Sequence, residues 1–140
     1  MRSLAVAGAA LVILSTDAVA ADAPNIIGTW MPITYASARI GTHSQYGSTS
    51  KPSLNNSTDA AFKLKIDVQN GNSFSGSATG PKGKIEQMVG AFRQDGKRFV
   101  FSVANGSASG ELNGDELEFC FNDNIPNYVA AACSTYKRVK

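Results

Sequence analysis

The chain has one histidine, two cysteines and eleven acidic side chains with which to do acid–base, redox or metal chemistry. His43 is the only imidazole. A general base must lie within hydrogen-bond reach of the proton it takes. No cysteine lies near His43 in sequence, and no Ser-His-Asp arrangement can be argued from spacing. The simpler expectation for His43 is a surface loop. Asp22, Asp59, Asp67, Glu86, Asp95, Glu111, Asp115, Glu116, Glu118 and Asp123 fall mostly at turns or on outward strand faces. Glu116 and Glu118 share one strand face, roughly 7 Å apart by strand rise. Glycoside hydrolysis would need such a pair in a cleft, and an exposed face is the expected place for this one. Asp115-Glu116-x-Glu118 with Asp123 lacks the calcium-loop pattern. We therefore expect a protein that is not an enzyme, with no catalytic residue, no metal site and no cofactor.

Cys120 and Cys133 have twelve residues between them. That is not the short redox spacing, and two thiols alone make a poor structural metal site. In an oxidising compartment they read as one disulfide. Closing a loop of this size stabilises by about 3 kcal/mol on the chain-entropy account.

The compartment is written at the N-terminus. Arg2 supplies a positive end, Leu4 to Leu14 an apolar stretch, and Ala18-Val19-Ala20 a small-x-small cleavage site. The apolar stretch is too short for a transmembrane helix, and Asp17 interrupts its continuation. Residues 1–20 are thus expected to be a cleaved signal peptide, and 21–140 a single domain. A mature chain of about 120 residues supports one modest core. No later run is long and apolar enough to span a membrane. The expected location is the periplasm or the extracellular space. Thirteen Lys and Arg against eleven Asp and Glu give a formal charge of +2. That is no basic field for nucleic acid.

Elements must hold whatever site exists, and the punctuation is that of a β protein. Asn70-Gly71, Asp95-Gly96, Asn105-Gly106 and Asn113-Gly114 separate strand-like runs. Gly80-Pro81-Lys82-Gly83 makes a further connection. Strands are expected near 26–34, 60–69, 73–79, 84–92, 97–103, 107–112, 115–121 and 130–138. Phe62, Leu64, Ile66 and Val68 share a face, as do Phe99, Phe101 and Val103, and Leu117, Phe119 and Phe121. The run 85–92 has apolar residues on both faces and does not declare its inner one. Eight short antiparallel strands joined in series favour an all-β, up-and-down barrel, in which the first strand pairs with the last and no edge is left. A two-sheet sandwich usually needs crossing connections.

The connections 35–59 and 122–132 are irregular. The first is a lid over a barrel mouth, or it hides a strand around 36–46. They hold Tyr35, His43, Tyr46 and Tyr128, aromatics where a ligand or partner would be met, and these are the candidate ligand-binding residues.

Gly28-Thr29-Trp30 opens the first strand. A Gly-x-Trp there resembles the signature of the calycin barrels, the lipocalin and avidin-like group. The resemblance implies that Trp30 plugs one barrel end and that Arg138, in Tyr136-Lys137-Arg138, lies over it. The stretch Ala131 to Arg138 is also similar to the ends of small exported bacterial proteins. Avidin-like proteins set several tryptophans around their ligand, and this chain has one.

The expected function is a non-enzymatic binding protein for a small, mostly apolar ligand in or at the barrel mouth. The alternative is a protein-binding module acting through 35–59 and 122–130, as an inhibitor or an envelope or host-interaction factor. A structural role as a homo-oligomer is a third reading. Mass spectrometry of the denatured protein from its exported fraction tests the compartment. The expected mass lacks the first twenty residues or so and carries one oxidised cysteine pair. An uncleaved or fully reduced chain would contradict the reading.

Overall fold

Nine strands form one antiparallel sheet that closes on itself. They are β1 (Gly28–His43), β2 (Gly47–Asn55), β3 (Lys63–Asn70), β4 (Ser73–Thr79), β5 (Ile85–Phe92), β6 (Arg98–Val103), β7 (Gly106–Asn113), β8 (Glu116–Ile125) and β9 (Tyr128–Arg138). The computed structural model describes residues 23–139. The expected signal segment 1–20 lies outside them. No helix among the described residues is long and apolar enough to cross a membrane.

The barrel has eight staves. From β3 to β9 each strand pairs with the next, and β1 closes the ring against β9 from Trp30–Arg138 to Gly41–Tyr128. On its other edge β1 pairs first with β3, at Gly28–Trp30, and then with β2, at Ser37–His43. β2 and β3 are thus one stave in two pieces, broken by a short 3-10 turn at Thr58–Ala60. Ser57 caps that turn by accepting the Asp59 N–H.

The tight turns follow the sequence punctuation. Gly71, Gly96 and Gly114 take positive φ, where only glycine is unstrained. Asp95 fixes its turn by accepting the Lys97 and Arg98 N–H groups, each at 2.9 Å.

Two expectations are corrected, and two open readings are settled. Of the two readings of 35–59 the hidden strand holds, and the strands go further than expected: β1 runs on to His43, and β2 returns from Gly47. The connection 122–132 shrinks to a turn at Pro126–Asn127, with Asn127 at φ 64°. Val68 does not share the inner face of Leu64 and Ile66. The register slips between Ile66 and Val68, so Asp67 is an extra residue and Val68 turns outward, 58% exposed. In β5 the inner residues are Met88 and Phe92, while Ile85 and Val89 face out.

One half of the interior is packed. Phe74, Phe92, Phe99, Phe101 and Phe119 interlock with ring centroids 5.0 to 6.4 Å apart. Glycines in the wall make room for the rings. A Cβ on Gly90 would stand 2.3 Å from the Phe74 ring, and one on Gly110 would stand 2.4 Å from Phe119 Cβ. Trp30 is fully buried at the end of this half, and its Nε1 donates to the Ile26 carbonyl at 2.9 Å. The Arg138 guanidinium lies 4.8 Å from the centre of the Trp30 ring and donates to the Asn25 carbonyl. Gln69 ties down the leading segment by accepting the Ile26 N–H and donating to the Pro24 carbonyl. A void of only about 10 Å³ remains among Ile26, Leu64, Ile66 and their neighbours.

The disulfide joins Cys120 and Cys133 directly across β8 and β9, on the outer face. It reinforces the final hairpin but contributes nothing to the core. The double variant Cys120→Ser, Cys133→Ser should therefore lose about 2–4 kcal/mol in urea unfolding yet keep its β-sheet circular dichroism. Loss of the fold itself would mean that strand pairing alone does not close the barrel.

Candidate functional site

The other half of the barrel is hollow. A cavity of about 70 Å³ lies between the aromatic floor and the β1–β2 tip. This is well below the roughly 300 Å³ of a typical small-molecule pocket. It exceeds the roughly 10–15 Å³ that admits one water. The closed form thus has room for a small group.

The floor is apolar, made by Phe62, Leu64, Phe101, Phe119, Phe121 and Tyr136. The hollow exists because β9 presents small residues there: Ala130, Ala132 and Ser134 line it. Tyr136 closes its edge by donating to the Phe62 carbonyl at 2.8 Å.

Tyr35, His43, Tyr46 and Tyr128, singled out from the sequence, all line this one cavity. A change of parity in β1 puts Tyr35 there. Pro32 pairs with Tyr136 and Thr34 with Thr135, so Ile33 is inserted as a bulge. Trp30 and Tyr35 both face inward on either side of it. Pro32, with no N–H to give, sits beside the interruption, where a strand tolerates it.

His43 is not on a surface loop, as its sequence setting suggested. It is 4% exposed, at the end of β1. Its Nδ1 accepts the Gln45 N–H at 3.1 Å, which leaves the ring proton on Nε2, 3.3 Å from Asp123 Oδ2. Both ring nitrogens are therefore engaged by the protein. Its ring also lies 4.7 Å from Tyr128 and 5.3 Å from Tyr46, centroid to centroid. The tip is latched across the mouth. Gln45, 2% exposed, donates to the Lys84 carbonyl at 3.4 Å and fills the notch left by Gly80. A Cβ on Gly80 would come within 2.6 Å of the Gln45 side chain. Gly41 allows β1 to pass the β8–β9 turn. Its φ is +106°, a Cβ there would strike the Asn127 carbonyl, and the neighbouring Thr42 N–H bonds that same oxygen at 2.9 Å.

Sequence reading missed the charged residues of the site. Arg39, Glu86 and Asp123 all line the cavity. Alternation could have found two of them. Arg39 continues the Tyr35, Ser37 row, and Asp123 continues the Leu117, Phe119, Phe121 row. Glu86 shares the inner face of Met88, which the sequence left undeclared. By contrast Glu118 is exposed and Glu116 lies near Lys137, both away from the cavity.

Burial keeps the phenols neutral. It pushes the Tyr128 hydroxyl up to about 12 and raises Tyr46 and Tyr136 further. Tyr46 donates to the Ala60 carbonyl at 3.1 Å, and Arg39 stacks on its ring with 4.3 Å between guanidinium and centroid. Among the described residues no three His, Cys, Asp or Glu side chains converge on a metal position.

Comparisons with protein-family models, with curated proteins and with solved structures find no match. The strand order and closure are those of an eight-stranded barrel consistent with a calycin-like fold, and that fold is compatible with ligand binding.

Burial raises the pKa of Asp123, the neighbouring His43 opposes the rise, and Glu86 adds to it. A carboxyl raised in the folded state favours folding most below the ordinary carboxylate range. That contribution is lost as pH rises through the raised value. Relative to wild type, Asp123→Asn should therefore gain stability on going from about pH 4 to neutral pH. Urea midpoints of the two proteins at both pH values check this. A constant difference between them would contradict it.

Proposed function

We propose that the chain is an exported, non-enzymatic binding protein that takes a small ligand at the mouth of its barrel. The observation that carries this reading is the cavity itself. It is apolar below, ringed by buried polar atoms above, and covered by the β1–β2 tip, which Gln45 latches to the Lys84 carbonyl. An eight-stranded barrel is just wide enough either to fill with side chains or to hold one small ligand. This chain does the first at one end and leaves room for the second at the other.

Several features favour a ligand over a protein partner on the loops. Tyr128 is buried, Tyr46 is held from within by Ala60, and Tyr35 is half-buried. None stands free as an anchor for another protein. The engagement of both His43 nitrogens favours a binding role over a catalytic one. Export rests on the segment 1–20 and on an outward-facing disulfide.

Native mass spectrometry of protein purified from its own exported fraction tests the reading. An added small mass that disappears on denaturation is expected. Ala132→Phe places a ring in the cavity and should abolish that added mass while the protein stays folded. Persistence of the mass in this variant would place the ligand elsewhere.

A further inference from the structure

The cavity holds charges of both signs and does not pair them with one another. Arg39 reaches in from β1, and its Nε and Nη1 are buried without a hydrogen-bond partner among the described residues. Asp123 Oδ1 from β8 and Glu86 Oε1 from β5 are buried and unpartnered in the same way. Asp123 is only 7% exposed. Its other oxygen faces His43, and Glu86 Oε1 forms an ion pair with the exposed Lys84 Nζ at 3.6 Å that is too long for a hydrogen bond, so its hydrogen-bonding capacity is unmet. Leaving a buried polar atom unsatisfied is costly, and more so when it is charged. Interiors that need only filling use apolar residues, and buried charges are ordinarily paired. Here donors stand unmet on one stave and acceptors on two others, around a shared hollow.

One molecule can satisfy both sets if it carries an acceptor and a donor of its own. We infer that the ligand is a small zwitterionic amphiphile, with a carboxylate received by Arg39, a protonated amine received by Asp123 and Glu86, and a short apolar chain on the phenylalanine floor. This deepens the ligand-binding reading above and rests on it. A simple anion would meet Arg39 but leave two carboxylates beside its own charge. A simple cation would meet the carboxylates but leave Arg39 unmatched. The volume of about 70 Å³ limits the chain to a short one and has any larger ligand displace the β1–β2 tip.

The test uses four probes that share one pentyl skeleton: norleucine, hexanoate, pentylamine and pentan-1-ol. Each is titrated into the isotopically labelled mature protein, and amide shifts around the cavity are followed. Norleucine should bind about tenfold or more tighter than either singly charged probe, as a charge-assisted hydrogen bond implies. Arg39→Met should reduce norleucine to the level of pentylamine, and Glu86→Gln should weaken norleucine and pentylamine while sparing hexanoate. Glu86→Gln removes only a charge, so it serves even if Arg39→Met fails to fold. If all four probes bind alike, or hexanoate matches norleucine, the zwitterion inference is overturned and the binding barrel stands. If none moves a cavity resonance, and crystals soaked in each show ordered water only, both readings fail.

Discussion

A single inserted residue in β1 sets the geometry on which the rest of the barrel depends. Strand side chains alternate with period two, so a residue added to one strand of a pair reverses which face every later side chain meets. Ile33 is that residue. Before it, Trp30 points inward and seals one end. After it, Tyr35, Ser37 and Arg39 point inward and line the other. Without the insertion the row beyond Trp30 would put Ala36, Ala38 and Ile40 inside and turn Arg39 to solvent. The same strand also carries the closing pairing with β9. Closure and the composition of the hollow half are therefore set by one strand, and a slip in its register would disturb both.

The two halves of the interior differ in what the wall allows. In the packed half, glycine in one strand faces phenylalanine in the next, as Gly110 does Phe119 and Gly90 does Phe74. The missing Cβ lets a ring lie against the backbone, so the lumen fills. In the hollow half the small residues are Ala130, Ala132 and Ser134 on β9, and the rings paired beside them, Tyr35, Phe119 and Phe121, line the space without filling it. Along β9 itself, Tyr128 and Tyr136 bound that stretch at either end. The cavity is thus a consequence of residue size along β9 and not of a wider barrel.

Much of this was legible in the residues. Asn-Gly and Asp-Gly pairs marked the turns, alternation marked most inner rows, and serial hairpins pointed to a closed barrel with one disulfide. Tyr35, His43, Tyr46 and Tyr128 were picked out only because they lay in segments with no strand signal, and those segments are themselves strands. The weak signal has a physical source. β1 beyond Pro32 alternates small and polar residues, Ala36, Ser37, Ala38 and Arg39, because its inner face borders a cavity and has no core to fill. A period-two hydrophobic pattern reports burial against apolar neighbours. It fails where a strand faces a polar hollow, and it cannot show a bulge that reverses the faces, as at Ile33 and Asp67.

That failure helps to locate the site. Where every local signal agrees with the fold, a residue is explained by the fold; where a buried row breaks the pattern with charge, the fold alone does not explain it. Arg39, Glu86 and Asp123 break it on three different staves, around one cavity. Chance burial of a single charge would be relieved by turning the side chain to solvent, since each stands near the mouth. Instead Asp123 is held by His43, His43 by the Gln45 amide, and Gln45 by the notch at Gly80. The chain of contacts runs from a carboxylate in the cavity to the tip that covers it.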